Sequence, residues 1–190
     1  MDEQVLKAMA RWPNVPAVFG WLRLDRRGRW RLVDRGQPGF DERLHGDGSP
    51  ITNTQIVDFI GRNYACDDTG RWYWQNGPQR VFVDLELAPW VLRVLGSGDA
   101  ARLVTHTGEP VGRVDAVCQG AAGDLFVETE LGTGAVYDLD LPQLDTEFDE
   151  AADDAPRLVR VRLLGAWHAV RALESEVPGG WVRRPRAQAR

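Results

Sequence analysis

The stretch GRWYWQNGPQRVFVDLE, from Gly70 to Glu86, gathers the groups in this chain best suited to recognition chemistry. Arg80 offers a guanidinium, which binds anions and lies flat on rings. Tyr73 and Phe82 offer π faces for a planar ligand. Gln75, Asn76 and Gln79 offer amide donors and acceptors. With Asn63 and Tyr64, at the end of the preceding helix, these residues form the candidate ligand-binding set. The competing reading is structural: aromatics suit strands, and amides suit turns.

Strand alternation sorts the stretch into two faces. Trp72 and Trp74 go with Val81 and Val83, as core. Tyr73, Arg80 and Phe82 go to the outer face, where a hairpin makes them cross-strand neighbours. Asn76-Gly77 suits a tight turn, but Pro78 has no N–H to close one. A wider turn is expected, with the amides of Gln75, Asn76 and Gln79 unpaired. Asp84 and Glu86 project from one strand face. Such a pair can do acid–base work, or can be a solvated face.

No other constellation recommends itself. His45, His106 and His168 stand in separate segments, and Cys66 and Cys118 share no ligand spacing. GSGDAARL at Gly96 lacks the Lys-Ser/Thr of a phosphate loop, and neither GxSxG nor HExxH occurs. The expectation is a chain with no catalytic residues, no metal and no cofactor. A net charge of −5 leaves little basis for holding a duplex through its phosphates, so duplex nucleic acid is not an expected partner. No apolar run approaches the roughly 20 residues of a membrane span. MDEQVLKAMARW has no signal-peptide pattern, so the expected location is cytoplasmic, with both cysteines reduced.

The elements that must position these residues read as follows. Val5, Leu6, Met9 and Trp12 give an amphipathic helix that Pro13 ends. GWLRLDRRGRWRLV reads as a hairpin, and DRGQPGFDERLHGDGSP as a loop. PITNTQIVDFIGRNYA is the clearest helix, capped by Thr52 or Asn53. After the 70–86 hairpin, Gly96-Ser97-Gly98 looks like a linker. Short strand-like runs then continue to RLVRVRLLG. AWHAVRALES fits either a helix or a final strand. Asp145–Asp154 reads as a solvated acidic loop.

The fold class expected is therefore α+β, with mainly antiparallel sheets and one or two helices. Residues 1–96 form an N-terminal α+β half, 97–175 a mainly β half, and 176–190 a flexible basic tail. GRWYWQNGPQRVFVDLELAP and GDLFVETELGTGAVYDLDLP share a strand–turn–strand pattern, with GRWRL at Gly28 as a partial third copy. That echo suggests duplicated halves, although any two hairpins are alike at this level.

GWLRLDRRGRWRL together with ITNTQIVDFIGRNYACDDTGRWYWQNGPQRVFVDLELAPWVLR resembles an uncharacterised family of proteobacterial proteins. The order of a Gly-x-Trp, a Gly-Ser-Pro-Ile, a helix, a Gly-x-aromatic and an Ala-Pro is similar to a second uncharacterised bacterial family. The second resemblance implies two duplicated α+β halves, the later one pleckstrin-homology-like. It also implies a pocket at the interface between the halves for a nucleotide-like small molecule, and a role in signalling. The position of that family's acidic residue after the proline is Gln79 here, a departure from its pattern.

Three readings follow. The first is a cytoplasmic module that binds a small molecule or a partner at the 70–86 hairpin. The second is a protein-interaction scaffold using strand edges and charged segments. The third is a hydrolase using Asp84 and Glu86.

Overall fold

Two short patterns of the form Asp-x-x-Gly-Arg-Trp, at Asp25–Trp30 and Asp67–Trp72, set the first turns of the chain. In the computed structural model, which describes residues 1–149, 157–173 and 180–187, both adopt the same geometry. The Asp25 carboxylate accepts hydrogen bonds from the main-chain N–H of Arg27 and Arg29 at 3.0 and 2.9 Å, and from Arg29 Nε at 2.7 Å. Asp67 repeats this with the N–H of Thr69 and Arg71 and with Arg71 Nε, at 3.0, 3.1 and 2.9 Å. The glycine of each pattern has φ near +78° (77° at Gly28, 78° at Gly70), a conformation that side-chain-bearing residues avoid. Aspartate satisfies the turn's orphan donors, glycine supplies its left-handed corner, and the following tryptophan starts the next strand.

The chain divides into two units, Met1–Leu87 with Trp181–Arg190, and Ala88–Gly180. In the first unit, α1 (Glu3–Arg11) precedes β1 (Val18–Leu24) and β2 (Trp30–Leu32). Then come α2 (Glu42–His45), β3 (Ser49–Pro50), α3 (Thr54–Arg62), β4 (Tyr64–Cys66), β5 (Trp72–Asn76) and β6 (Gln79–Leu85). They form a six-stranded sheet in the order β3-β2-β1-β6-β5-β4. The β1–β2 hairpin and the clear helix are where the pattern predicts them, with Asn53 capping α3 through its side chain. Asp41 caps the single turn of α2, inside a segment that composition marks as loop. Strands β1 and β6 run in parallel, an arrangement the hairpin pattern does not announce.

The second unit contains β7 (Trp90–Leu95), β8 (Arg102–Thr105), β9 (Val114–Gln119), β10 (Leu125–Thr129) and β11 (Gly132–Val136). It also contains β12 (Thr146–Asp149), β13 (Arg157–Leu163) and β14 (Ala166–Ala172). Its sheet order is β12-β13-β14-β9-β10-β11-β7-β8. The run β8-β7-β11-β10-β9 has the order and directions of β2-β1-β6-β5-β4, with β7 and β11 parallel as β1 and β6 are. Asp140 is buried and pins β7: its carboxylate accepts from Arg93 Nε at 2.7 Å and from the Val94 N–H at 2.9 Å. The fold is α+β, as expected.

Several boundaries differ from the sequence reading. The division falls at Leu87 rather than 96, because β7 pairs with β8 and β11. AWHAVRALES begins as a strand, since β14 pairs with β13 and β9. The acidic segment begins as β12, where Glu147 meets Arg160 across the ladder, and its remainder, 150–154, lies outside the described residues. In the tail, 176–179 and 188–190 lie outside them too, and the part between returns to the first unit.

Asp67 makes this architecture sensitive to acid. Burial works against its charge, but hydrogen bonds from Thr69 and Arg71 outweigh burial and hold the carboxyl at about 2, below its ordinary 3.8. A depressed folded-state value stabilises above the unfolded value and is lost as pH falls through about 2. Asp67→Asn should therefore cost about 1–3 kcal/mol at neutral pH. In urea titrations from pH 7 to pH 2 the gap to the parent should narrow below about pH 4. A constant gap would contradict the assignment.

Candidate functional site

Strand β6 is buried on both faces. Val81, Val83 and Leu85 are buried on one, and Phe82 on the other. The first face carries the core expected for the tryptophans. Tyr64 packs against Trp72 at 4.8 Å and edge-on to Trp30 at 5.0 Å, while Phe59 of α3 meets Trp74 edge-on at 5.9 Å.

The second face carries the candidate site. Phe82 stacks on Phe19 of β1 with centroids 4.6 Å apart and planes 8° from parallel. Tyr73, opposite Phe82 in the register, meets it edge-on at 5.9 Å. Two guanidiniums cap the rings, Arg71 over Phe82 at 4.7 Å and Arg80 over Tyr73 at 4.0 Å. Asp67 holds the first, through Nε at 2.9 Å and a terminal nitrogen at 2.8 Å. Arg80 makes no ion pair among the described residues. A cleft of about 480 Å³ opens beside this assembly, with Phe19, Phe82, Arg71, Arg80, Gln75 and Trp12 in its lining. Trp12 is half exposed and lies under the Arg11 guanidinium at 4.6 Å.

Gln75 faces Arg80 directly across the β5–β6 ladder. It is 2% exposed. Its side-chain amide donates to the Gly77 carbonyl at 2.9 Å, and its own carbonyl oxygen is buried without a hydrogen-bond partner among the described residues. A buried acceptor left unmade costs about 1–3 kcal/mol. The cleft thus combines stacked rings and a cation with no ion pair among the described residues, with the orphan acceptor buried behind its wall.

The candidate residues divide. Tyr73, Gln75, Arg80 and Phe82 share this face. Asn63 does not line the cleft. It is buried as a hub, accepting from the Asp2 N–H at 2.8 Å and donating to the Phe59 carbonyl at 2.9 Å. Tyr64 sits on the opposite face, in the core, where burial pushes its hydroxyl well above the ordinary range. Asn76 is exposed beside the start of α1. Gln79 donates to the Pro16 carbonyl at 3.3 Å.

The wide turn is also corrected. Asn76 pairs with Gln79, so the loop is only Gly77-Pro78. Gly77 takes φ +55° at the first position, and proline's fixed negative φ suits the second, as in a type II′ turn. Asp84 and Glu86 are held by arginines, Arg186 at 2.8 Å and Arg23 at 3.4 Å, so the acid–base pair is committed to structure. Sequence reasoning missed Phe19, Arg71 and Trp12. Arg71 has the same strand parity as Tyr73, a usable signal. Phe19 arrives only through the parallel β1–β6 pairing.

A model of the DUF2944 family, described as "Protein of unknown function (DUF2946)", matches residues 1–186. No curated protein matches the chain. A solved DUF1285 family protein from Silicibacter pomeroyi DSS-3 is similar at 17% identity and a TM-score of 0.49, covering 92% of this chain and 97% of that one. Another, from Shewanella baltica OS155, has 13% identity and a TM-score of 0.42, covering 63% and 86%. The expected membership of an uncharacterised domain family holds.

The buried ring of Phe82 and the guanidinium of Arg80 should differ in structural weight. Phe82→Ala removes a buried ring and should cost about 3–5 kcal/mol. Arg80→Ala removes one partly exposed cation–π contact and should cost no more than about 1 kcal/mol. Urea denaturation of both variants checks this. A large loss in Arg80→Ala would make Arg80 a structural residue.

Proposed function

We propose that this chain, which belongs to the DUF2944 family of proteins of unknown function, is a ligand-binding module whose site is the cleft beside Phe82. Its ligand is a planar, anionic small molecule that also carries an N–H donor, a description nucleotide-like compounds meet. The observation that carries this reading is the pairing of Arg80 with Gln75. A guanidinium without a carboxylate stands across the ladder from a buried acceptor without a donor. An anionic group answers the first, an amino or imino group answers the second, and a flat ring system fits the stacked Phe19–Phe82 wall.

The described residues hold no group of three or more metal-ligating side chains. The cleft lining contains no carboxylate and no histidine. Binding is the output we assign to the cleft, in keeping with a signalling role. The cysteines are unpaired, exposed at Cys66 and buried at Cys118, which suits a reducing, cytoplasmic setting. The shared strand order of the two units supports an origin by duplication.

A thermal-shift screen of the full chain against purine and pyrimidine nucleotides and anionic metabolites tests the reading. A ligand at a hundred times its Kd adds about 2.7 kcal/mol, enough to raise Tm by several degrees. That rise should disappear in Arg80→Ala and weaken in Gln75→Leu. No rise with any compound, or an equal rise in Arg80→Ala, would count against the cleft.

A further inference from the structure

Residues 181–187 reach the first unit after the chain has passed through the whole of Ala88–Gly180. They attach as a separate peptide would. The Val182 N–H donates to the Gly70 carbonyl at 2.8 Å, and the Leu85 N–H donates to the Arg183 carbonyl at 2.7 Å. The Arg183 guanidinium donates to the Glu86 carbonyl. Pro185 is buried. Arg186 closes a two-pronged bridge to Asp84, at 2.8 and 3.1 Å. Asp84 is 16% exposed in its side chain, so its charge is largely withdrawn from water and depends on that partner.

These contacts have the features of a peptide-recognition site. Main-chain bonds at Gly70 and Leu85 fix a segment that bends at Arg183-Arg184, a buried proline follows the bend, and one arginine fork reads one carboxylate. The spacing is specific, because the proline must fall immediately before the bidentate arginine. The segment that meets this requirement is printed once in every copy of the chain, as Trp181-Val182-Arg183-Arg184-Pro185-Arg186.

We propose that Gly70, Asp84 and Leu85 form a seat for this arm, and that the arm of a second copy of the chain can occupy it, linking two copies by exchange. Within one copy the tether gives the resident arm a high effective concentration, so exchange requires that the resident arm be released. The seat lies on the same strand as Phe82 and next to Arg71, yet the arm lines none of the proposed ligand cleft. The inference therefore stands independently of that reading.

Charge reversal on the full chain isolates the exchange. Asp84→Arg spoils the seat and keeps the arm. Arg186→Glu spoils the arm and keeps the seat. Each alone should be monomeric, with the Leu85 amide exchanging hydrogen at least tenfold faster than in the parent. Mixed in equal amounts, they should form a one-to-one dimer by native mass spectrometry and sedimentation, with Leu85 protection regained in both partners, since Arg186 of one copy meets Asp84 of the other and the reversed pair forms in the opposite direction. The double variant carrying both changes should regain protection within one copy, which separates loss of the bridge from loss of folding. A mixture that stays monomeric overturns the exchange. A Leu85 amide as slow in both single variants as in the parent overturns the seat itself.

Discussion

The first unit is governed by one constraint: β6 must be kept dry on both faces. Val83 is 0% exposed on one side and Phe82 is 3% exposed on the other. On the first face α3 supplies Ile60 and Phe59. On the second, the cover is assembled from smaller pieces. Phe19 stacks on Phe82, the Arg71 guanidinium lies over it, and the arm of residues 181–187 closes on the end of the strand at Asp84 and Leu85. A surface covered by rings, cations and a returning peptide leaves gaps. The cleft is such a gap.

The electrostatics follow from the same constraint. A guanidinium can cover an aromatic ring while its edge stays solvated. Arg71 does so with Asp67 as counterion, and Asp67 is itself fixed by the main chain of its turn. Arg80 does so over Tyr73 without a carboxylate. The turn that fixes Asp67 thus reaches, through one arginine, to the wall of the cleft. Of the two arginines, only Arg71 has a carboxylate partner among the described residues.

Much of this is legible in the sequence, and the omissions have physical causes. Alternation along Trp72–Gln75 and Val81–Asp84 sorts the two faces correctly, because a strand's period is two whatever surrounds it. It cannot show that the second face is covered as well, so Phe82 reads as outward when it is buried. Proline at Pro78 suggests a wide turn only if it must donate at that position, and in a Gly77-Pro78 loop it need not. Asn63 carries the same amide as Gln75, but its fate as a hub depends on Asp2, far away in the sequence. The parallel pairing of β1 with β6 and the return of the arm depend on contacts across long separations. They leave no local period, so Phe19 and Arg186 could not be joined to the hairpin from composition or spacing.

The central claim is that Arg80 and Gln75 meet a ligand that both can bond. NMR of the isotope-labelled full chain, titrated with the nucleotide that most raises Tm, reads these groups directly. The account predicts saturable shifts of the Arg80 Nε–H and the Gln75 side-chain amide with one common Kd, together with ring-current shifts at Phe19 and Phe82. Saturable shifts confined to other residues, with Arg80 and Gln75 unmoved, would contradict it.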